Sequence, residues 1–176
     1  VSHVIKEADR TIVYIQEKDR YEPDHYDLGL RIEIPSVANI AAGDYIAGIY
    51  GKFRPFAGDS ISGLVGASFF QDAEKHIEVV GNGAECRSLA KNIYTLTSDG
   101  MQNAYRYEST LIVFSGGKVV KNDNNTYSYV IENENGTGRQ SVRFEVTGVE
   151  DLSVYAGKEC TVRGVLDVAN NYPDNQ

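Results

Sequence analysis

The chain has 176 residues, of which 41% are hydrophobic and 24% charged, a globular composition that excludes wholesale disorder. Its formal net charge of −8 repels polyanions on average, so sequence-independent binding to nucleic acid is disfavoured. No run approaches the roughly 20 apolar residues of a membrane-spanning helix, and we predict no membrane span. Twelve Tyr and no Trp favour the pleated, half-exposed surfaces of β-sheets.

Alternation of apolar and polar residues is the dominant pattern, and it predicts an all-β fold. The predicted strands of the first half are 11–16, 29–34, 45–53 and 76–80. Those of the second half are 111–114, 118–121, 126–132, 141–147 and 159–168. Runs of Gly, Asn and Asp predict turns at 81–83, 115–117, 122–125 and 133–136.

Residues 84–97 carry the single helical pattern, with Leu89, Ile93 and Leu96 at helical spacing. This pattern predicts a short helix, and an extended linker is the competing interpretation.

An internal repeat organises the chain. Segments 14–17, 30–34 and 40–46 resemble segments 129–132, 142–146 and 155–160, in the same order and about 112–115 residues apart. The matches pair Tyr14 with Tyr129, Arg31 with Arg143 and, near the end of each set, Gly43 with Gly157. Three matches at a near-constant offset predict two similar units in tandem.

The order of strands and connectors within each unit resembles the OB-fold, a small five-stranded Greek-key barrel. Segment 107–113 followed by 117–120 is similar to a first OB strand, and 149–158 is similar to the connector that leads into a fourth. The resemblance implies two tandem OB-like barrels, 1–95 and 105–176, with a short helix or linker between them. The sequence stops where a fifth strand is expected, so we expect the second barrel to lack it. The alternative is a single β-sandwich with an accidental repeat.

Tandem modules of this kind occur in secreted and surface-exposed bacterial proteins, often beside nuclease, phosphatase or glycosidase domains. The resemblance therefore implies a non-catalytic binding or accessory module of a larger secreted or surface protein. Its expected partner is a saccharide, a peptide or a neighbouring domain, and its expected location is extracellular or at the cell surface, with the targeting segment outside this sequence. A nucleic-acid-binding OB module is the alternative that the net charge disfavours.

OB barrels bind ligands across strands two and three and the flanking loops, where aromatic rings stack on bases or sugars. In this sequence the resemblance points to seven residues: Tyr14, Tyr21, Tyr26, Arg31, Tyr127, Tyr129 and Arg143. Alternation alone directs about half of the strand residues into the barrel interior. Tyr21 and Tyr26 instead belong to a long polar and aromatic loop, 19–27.

The motif around Ser60, Gly-Asp-Ser, resembles the nucleophile block of GDS-type esterases. Those enzymes need a downstream Asp-x-x-His to supply the base that activates the serine. The last histidine here is His76, and no such motif follows. We therefore predict that the protein is not an enzyme and keep a small serine esterase as the least favoured alternative.

Metal and cofactor sites are not predicted. Glu22, Asp24, His25 and Asp27 crowd the 19–27 loop, but their spacing fits no established calcium loop. Two cysteines, Cys86 and Cys160, lie in apolar runs, where a cysteine usually serves as a small buried hydrophobe; a bridge between them is the less favoured alternative.

Overall fold

The structure is a computed structural model. It describes residues 1–16, 29–55, 67–71, 77–83, 89–90, 107, 109–132, 139–144, 146, 149 and 151–166. The strands within these residues are β1 (His3–Lys6), β2 (Thr11–Gln16), β3 (Gly29–Ile34), β4 (Tyr45–Ala47), β5 (Gly51–Pro55), β6 (Ala67–Gln71), β7 (Glu78–Gly81), β8 (Leu89–Ala90), β9 (Leu111–Lys121), β10 (Tyr127–Glu132), β11 (Arg139–Phe144) and β12 (Glu159–Val165). The one helical element in this part of the chain is a 3-10 turn, Ser153–Tyr155, which precedes β12. The prediction of an all-β fold is therefore confirmed.

The first sheet has the strand order β1-β2-β3-β6-β5. Strands β1, β2 and β3 form an antiparallel meander, β6 runs parallel to β3, and β5 pairs antiparallel with β6. Alternate residues of β2 and β3, including Val13, Ile32 and Ile34, pack into one core cluster with Ile40. The bounds predicted for β2 and β3 are confirmed, because β-branched residues run through both.

The predicted strand 45–53 is two strands. Gly48 adopts a φ of 67° between β4 and β5, a conformation that breaks the extended backbone. Strand β4 then pairs with β7 in a separate two-stranded sheet, while β5 joins the first sheet through β6. One continuous run of alternation therefore serves two sheets.

The second sheet has the strand order β11-β10-β9-β12, with β8 parallel to β9 beside it. Three consecutive strands pair in sequence and the fourth returns to lie beside the first, which is the order of a Greek key. Ile112, Phe114, Tyr129 and Leu166 form its main core cluster.

The turn predicted at 115–117 is wrong, because β9 runs unbroken from Leu111 to Lys121. Pairing shifts between Cys160 and Val162, whose partners are Gly117 and Phe114, so two residues of β9 stand opposite one of β12. Gly116 has a φ of 79° at this β-bulge. A Ser-Gly-Gly run permits a turn or a bulge equally well, and pairing with β12 decides for the bulge.

The helix predicted within 84–97 is wrong at Leu89, which lies in β8 opposite Ile112. The rest of that segment, apart from Ala90, lies outside the described residues. Although β8 falls within the predicted unit 1–95, it pairs with the second sheet. Its hydrogen bonds to β9 override the weak helical spacing.

Neither sheet closes into a barrel within the described residues, so the predicted barrels are not observed as closed rings. The core cluster of the first sheet shares no residue with the two clusters of the second. In the part of the chain that the structure describes, no helix is long and apolar enough to cross a membrane.

Tyr14 and Tyr129, matched by the repeat, lie on opposite faces of their sheets. Tyr14 stands opposite Arg31, whereas Tyr129 stands opposite Val142 and packs into the second core. The matched register is therefore wrong by one residue at this strand. Strand β2 carries apolar residues on both faces, so alternation did not fix which face each one occupies.

Candidate functional site

Tyr14 and Arg31, two of the predicted ligand residues, are brought together by the first sheet. They are cross-strand partners on β2 and β3, and both point away from the core cluster formed by their neighbours Val13 and Ile32. Tyr14 also faces His3 on β1, with ring centroids 6.1 Å apart. We call this side of β1, β2 and β3 the outer face; its strand residues include Ile12, Tyr14, Arg31 and Glu33.

A row of alternating charges crosses the outer face. Arg31 forms an ion pair with Glu33, which is 3.8 Å from Arg10, and Arg10 in turn donates a 2.5 Å hydrogen bond to Glu7. The hydrogen bond from Arg10 is the main reason that the pKa of Glu7 is lowered. Because Glu33 neutralises Arg31, the face offers no unpaired cation of this row to a phosphate ligand.

Burial increases along this row. The side chains of Arg10 and Glu7 are 44% and 38% exposed, whereas those of Arg31 and Glu33 are 8% and 12% exposed. Tyr14 is likewise buried, at 6% exposure. The ring of Tyr14 and the guanidinium of Arg31 therefore do not form an open stacking platform in this structure.

Tyr129 is a core residue of the second sheet, 1% exposed. Its hydroxyl accepts a 2.7 Å hydrogen bond from the Gly117 amide and donates one of 3.0 Å to the Cys160 carbonyl. The ring stacks on Phe114 at 6.0 Å, and burial raises the pKa of the phenol. This side chain joins β9 to β12 beside the bulge, which is a structural role.

Tyr127 also lies on the core side of β10, 5% exposed, and holds the connector before β12. Its hydroxyl donates a 2.8 Å hydrogen bond to Asp151, whose carboxylate also accepts from the amide and the hydroxyl of Ser153. These bonds, the Ser153 amide first, lower the pKa of Asp151, and the bond to Asp151 raises the pKa of Tyr127. The carboxylate thus fixes the start of the 3-10 turn.

The remaining predicted ligand residues are less defined. Arg143 stands opposite Ser128 on the second sheet. Tyr21, Tyr26, Ser60 and the acidic loop residues lie outside the described residues. The ligand role of Tyr21 and Tyr26 stays a prediction, and so do the absence of a metal site in the 19–27 loop and the low standing of Ser60 as a nucleophile. Among the described residues, no group of three or more His, Cys, Asp or Glu is placed to hold a metal ion.

The Asn-rich segment 122–125 is a turn, as predicted. Asn125 has a φ of 61°, and Asn122 donates side-chain hydrogen bonds of 2.9 Å to Thr126 and Ser128. These bonds use the Asn122 amide to hold the hairpin. Cys160 is a free thiol, half-buried against both clusters of the second sheet, whereas Cys86 lies outside the described residues.

Sequence reasoning missed an exposed apolar group in the connector between β11 and β12. Val146, Val149, Val154 and Tyr155 are between 42% and 62% exposed. Alternation could not have found all of them, because Val146 continues the alternating pattern of the predicted strand 141–147 and only the structure shows it exposed.

No protein-family model matches the chain, and no curated protein or solved structure matches it either.

Proposed function

We propose that the chain is a pair of OB-like units acting as a non-catalytic binding or accessory module of a larger secreted or surface protein. The observation that carries the proposal is the strand order of the two sheets. Each order matches a run of neighbouring strands in one five-stranded ring, which supports the proposal, because a small five-stranded Greek-key barrel is the architecture of OB binding modules.

The order of strands in the proposed ring is built from the second sheet. In chain order its four main strands have the spatial order fourth, first, second, third. A fifth strand that closes such a ring has to lie between the third and the fourth. The first sheet has β6 in that position, between β3 and β5, when β4 and β5 count as one broken fourth strand.

The one parallel pair of the first sheet fits the same ring. In an antiparallel ring each strand runs opposite to both of its neighbours. With an odd number of strands this alternation cannot hold all the way round, so at least one pair of neighbours has to be parallel. In a ring where the first four strands pair antiparallel, the fifth must run parallel to one neighbour. Strand β6 is parallel to β3 and antiparallel to β5.

In both units a glycine turn exchanges hydrogen bonds with a valine, which lies two residues before β1 in the first unit and within β9 in the second. Val1 accepts a hydrogen bond from the Gly43 amide (2.9 Å) and donates one to the Asp44 carbonyl (2.7 Å). The Val119 carbonyl accepts a hydrogen bond from the Gly157 amide (2.8 Å), and the Val119 amide donates one to the Lys158 carbonyl (3.3 Å). Gly43 and Gly157 both have positive φ, 93° and 76°. This recurrence supports two units of one design.

The negative charge of the chain disfavours an anionic partner. The chain carries a net charge of −8, and Arg31 on the first outer face is neutralised by Glu33. A phosphate backbone is therefore a poor ligand, and a neutral saccharide, a basic peptide or a neighbouring domain is favoured. An extracellular or cell-surface location belongs to this proposal.

The test is a binding screen of the whole chain against glycan, peptide and single-stranded DNA arrays. We expect a saccharide or peptide hit and no DNA binding at physiological salt. Tyr21→Ala and Tyr26→Ala should each weaken the hit by about 1–3 kcal/mol, the range for one stacked aromatic ring, and Tyr50→Ala at an exposed position of the first half is the matched control. Selective DNA binding would replace the proposal with the nucleic-acid alternative.

A further inference from the structure

An asparagine–glycine pair, Asn82-Gly83, follows directly after β7. Both residues are exposed, and neither belongs to a strand. Gly83 has a φ of 80°, and a Cβ built on it would meet nothing within 4 Å. Because glycine has no side chain, nothing on this residue blocks an approach to its own backbone nitrogen. The Gly83 amide is therefore accessible to water and to the side chain that precedes it.

Hydrogen bonding distinguishes this pair from the asparagines of the β9–β10 turn. Within the part of the chain that the structure describes, no hydrogen bond engages the carboxamide of Asn82 or the amide of Gly83. Asn124 is the opposite case, because its Oδ1 accepts hydrogen bonds from the amide and the hydroxyl of Thr126, at 3.3 Å and 2.6 Å. The amide of the next residue, Asn125, donates to a carbonyl of the same turn at 3.1 Å. An amide held in this way reacts only when the turn opens.

We propose that Asn82 is a site of spontaneous deamidation in the folded protein. The Gly83 nitrogen loses its proton and attacks Cγ of Asn82, so that a nitrogen–carbon bond forms. The bond from Cγ to Nδ2 breaks, and Nδ2 leaves with a proton as ammonia. Water then opens the resulting cyclic imide at one or the other of its carbonyl carbons and leaves aspartate or isoaspartate. Water is the co-reactant, and nothing is oxidised or reduced.

The modification changes the chain at the end of β7. Either product replaces a neutral carboxamide with a carboxylate, and isoaspartate also inserts a methylene group into the backbone before Gly83. Gly81 pairs with Tyr45 just before this point, and a Cβ built on Gly81 would lie 3.2 Å from the Tyr45 ring, so the two strands approach closely there. Strands β4 and β7 form a separate two-stranded sheet, and such a pair is only marginally stable by itself. The longer backbone should therefore weaken the pairing of β4 with β7.

The test is to incubate the whole unaltered chain, folded and in urea, and to follow each asparagine by peptide mapping and mass spectrometry. For Asn82 we expect a rate in the folded protein within about tenfold of the rate in urea, since no hydrogen bond has to open. For Asn124 the folded rate should be more than about tenfold below the rate in urea. This ratio separates the effect of structure from that of the Asn-Gly sequence, which recurs at 135–136, outside the described residues. The rate at Asn82 should rise with pH, because the attack requires a deprotonated amide.

Two variants at the same exposed position serve as controls. Asn82→Gln keeps a carboxamide on a longer side chain, whose ring closes far more slowly, and it should remove the isoaspartate signal from this peptide. Freshly purified Asn82→Asp supplies the charge without the longer backbone, so amides of β4 and β7 should exchange faster in the incubated unaltered protein than in this variant, while those of β2 and β3 stay protected. Equal exchange in β4 and β7 would contradict the effect on their pairing. A folded rate at Asn82 more than about tenfold below its rate in urea would overturn the proposal.

Discussion

The first strands of the two sheets differ in length and in the number of strands with which they pair. Strand β1 has four residues and, in the described part of the chain, pairs only with β2. Strand β9 has eleven and pairs with β10 on one side and β12 on the other, Lys118 being paired on both. The bulge at Gly116 bends β9 between these partners. In this protein the first strand that pairs with two neighbours is the long and bent one, whereas the short β1 pairs with β2 alone among the described strands.

The largest effect should come from filling the space beside the bulge. A Cβ on Gly117 would lie 2.6 Å from the Val130 carbonyl oxygen and 2.7 Å from the Tyr129 ring. Gly117→Ala should therefore lower the free energy of unfolding by roughly 2–4 kcal/mol, measured by urea denaturation, with the greatest loss of amide protection along β9 and β12.

The matched control is Gly164→Ala on the partner strand β12, where a Cβ would meet nothing within 4 Å. It should change stability by less than about 1 kcal/mol. Equal effects of the two substitutions would contradict the idea that a close approach at Gly117 organises this sheet.

The next largest effect should come from the hydroxyl that joins β9 and β12. Tyr129→Phe removes the acceptor of the Gly117 amide and the donor to the Cys160 carbonyl. We expect a loss of about 1–3 kcal/mol in urea denaturation, because two buried backbone groups lose their partner. Tyr127→Phe, whose hydroxyl bonds the exposed Asp151, should cost less; the reverse ranking would show that the bulge does not depend on the Tyr129 bridge.

A comparable bridge can be broken in the first sheet. The Thr11 hydroxyl, fully buried, donates to the Ser36 carbonyl at 2.9 Å and accepts from the Ala38 amide at 2.8 Å. Thr11→Val keeps the shape and should cost about 1–3 kcal/mol by thermal unfolding. Thr11→Ser retains the hydroxyl and should recover most of that loss. If Val and Ser behave alike, the hydrogen bonds are not what fixes this segment to β2.

The smallest effect should be a pH-dependent change in Tm caused by Asp151, in the connector between β11 and β12. Folding lowers the pKa of Asp151, so its stabilising contribution is present above the ordinary carboxyl range, near pH 4, and is lost as pH falls toward the lowered value. Asp151→Asn should lower Tm at neutral pH, and its difference from the unaltered protein should shrink in acid. Tyr127→Phe removes one of the hydrogen bonds that lower the pKa of Asp151, so it should reduce the acid-side change in Tm only partly. A difference that is constant with pH would exclude the carboxylate charge as the cause.

The sequence predicted the longer strands better than it predicted the short strands and the pairing between strands. The bounds of β2 and β3 were predictable because apolar residues, several of them β-branched, run through both strands. The short β1 was missed, since four residues carry little periodicity. Strand β8 was assigned to a helix because Leu89 fits both patterns, and only its pairing with Ile112 separates them.

The candidate site was predictable only in part. Tyr14 and Arg31 were both predicted to lie on the ligand face of strands two and three, and the structure makes them cross-strand partners. The burial of both was not predictable, because alternation assigns a residue to one face of a sheet and does not say whether that face is covered.

The bulged strand β9 also sets the order in which its bonds can form. Lys118 pairs with Val130, twelve positions on across the 122–126 turn, and with Glu159, forty-one positions on. Hairpins close in about 1–10 μs, whereas pairing over a long loop must first overcome a larger closure entropy. In refolding, the hairpin half of β9 should therefore be protected first, and the half before Gly116 should wait for β12 to arrive.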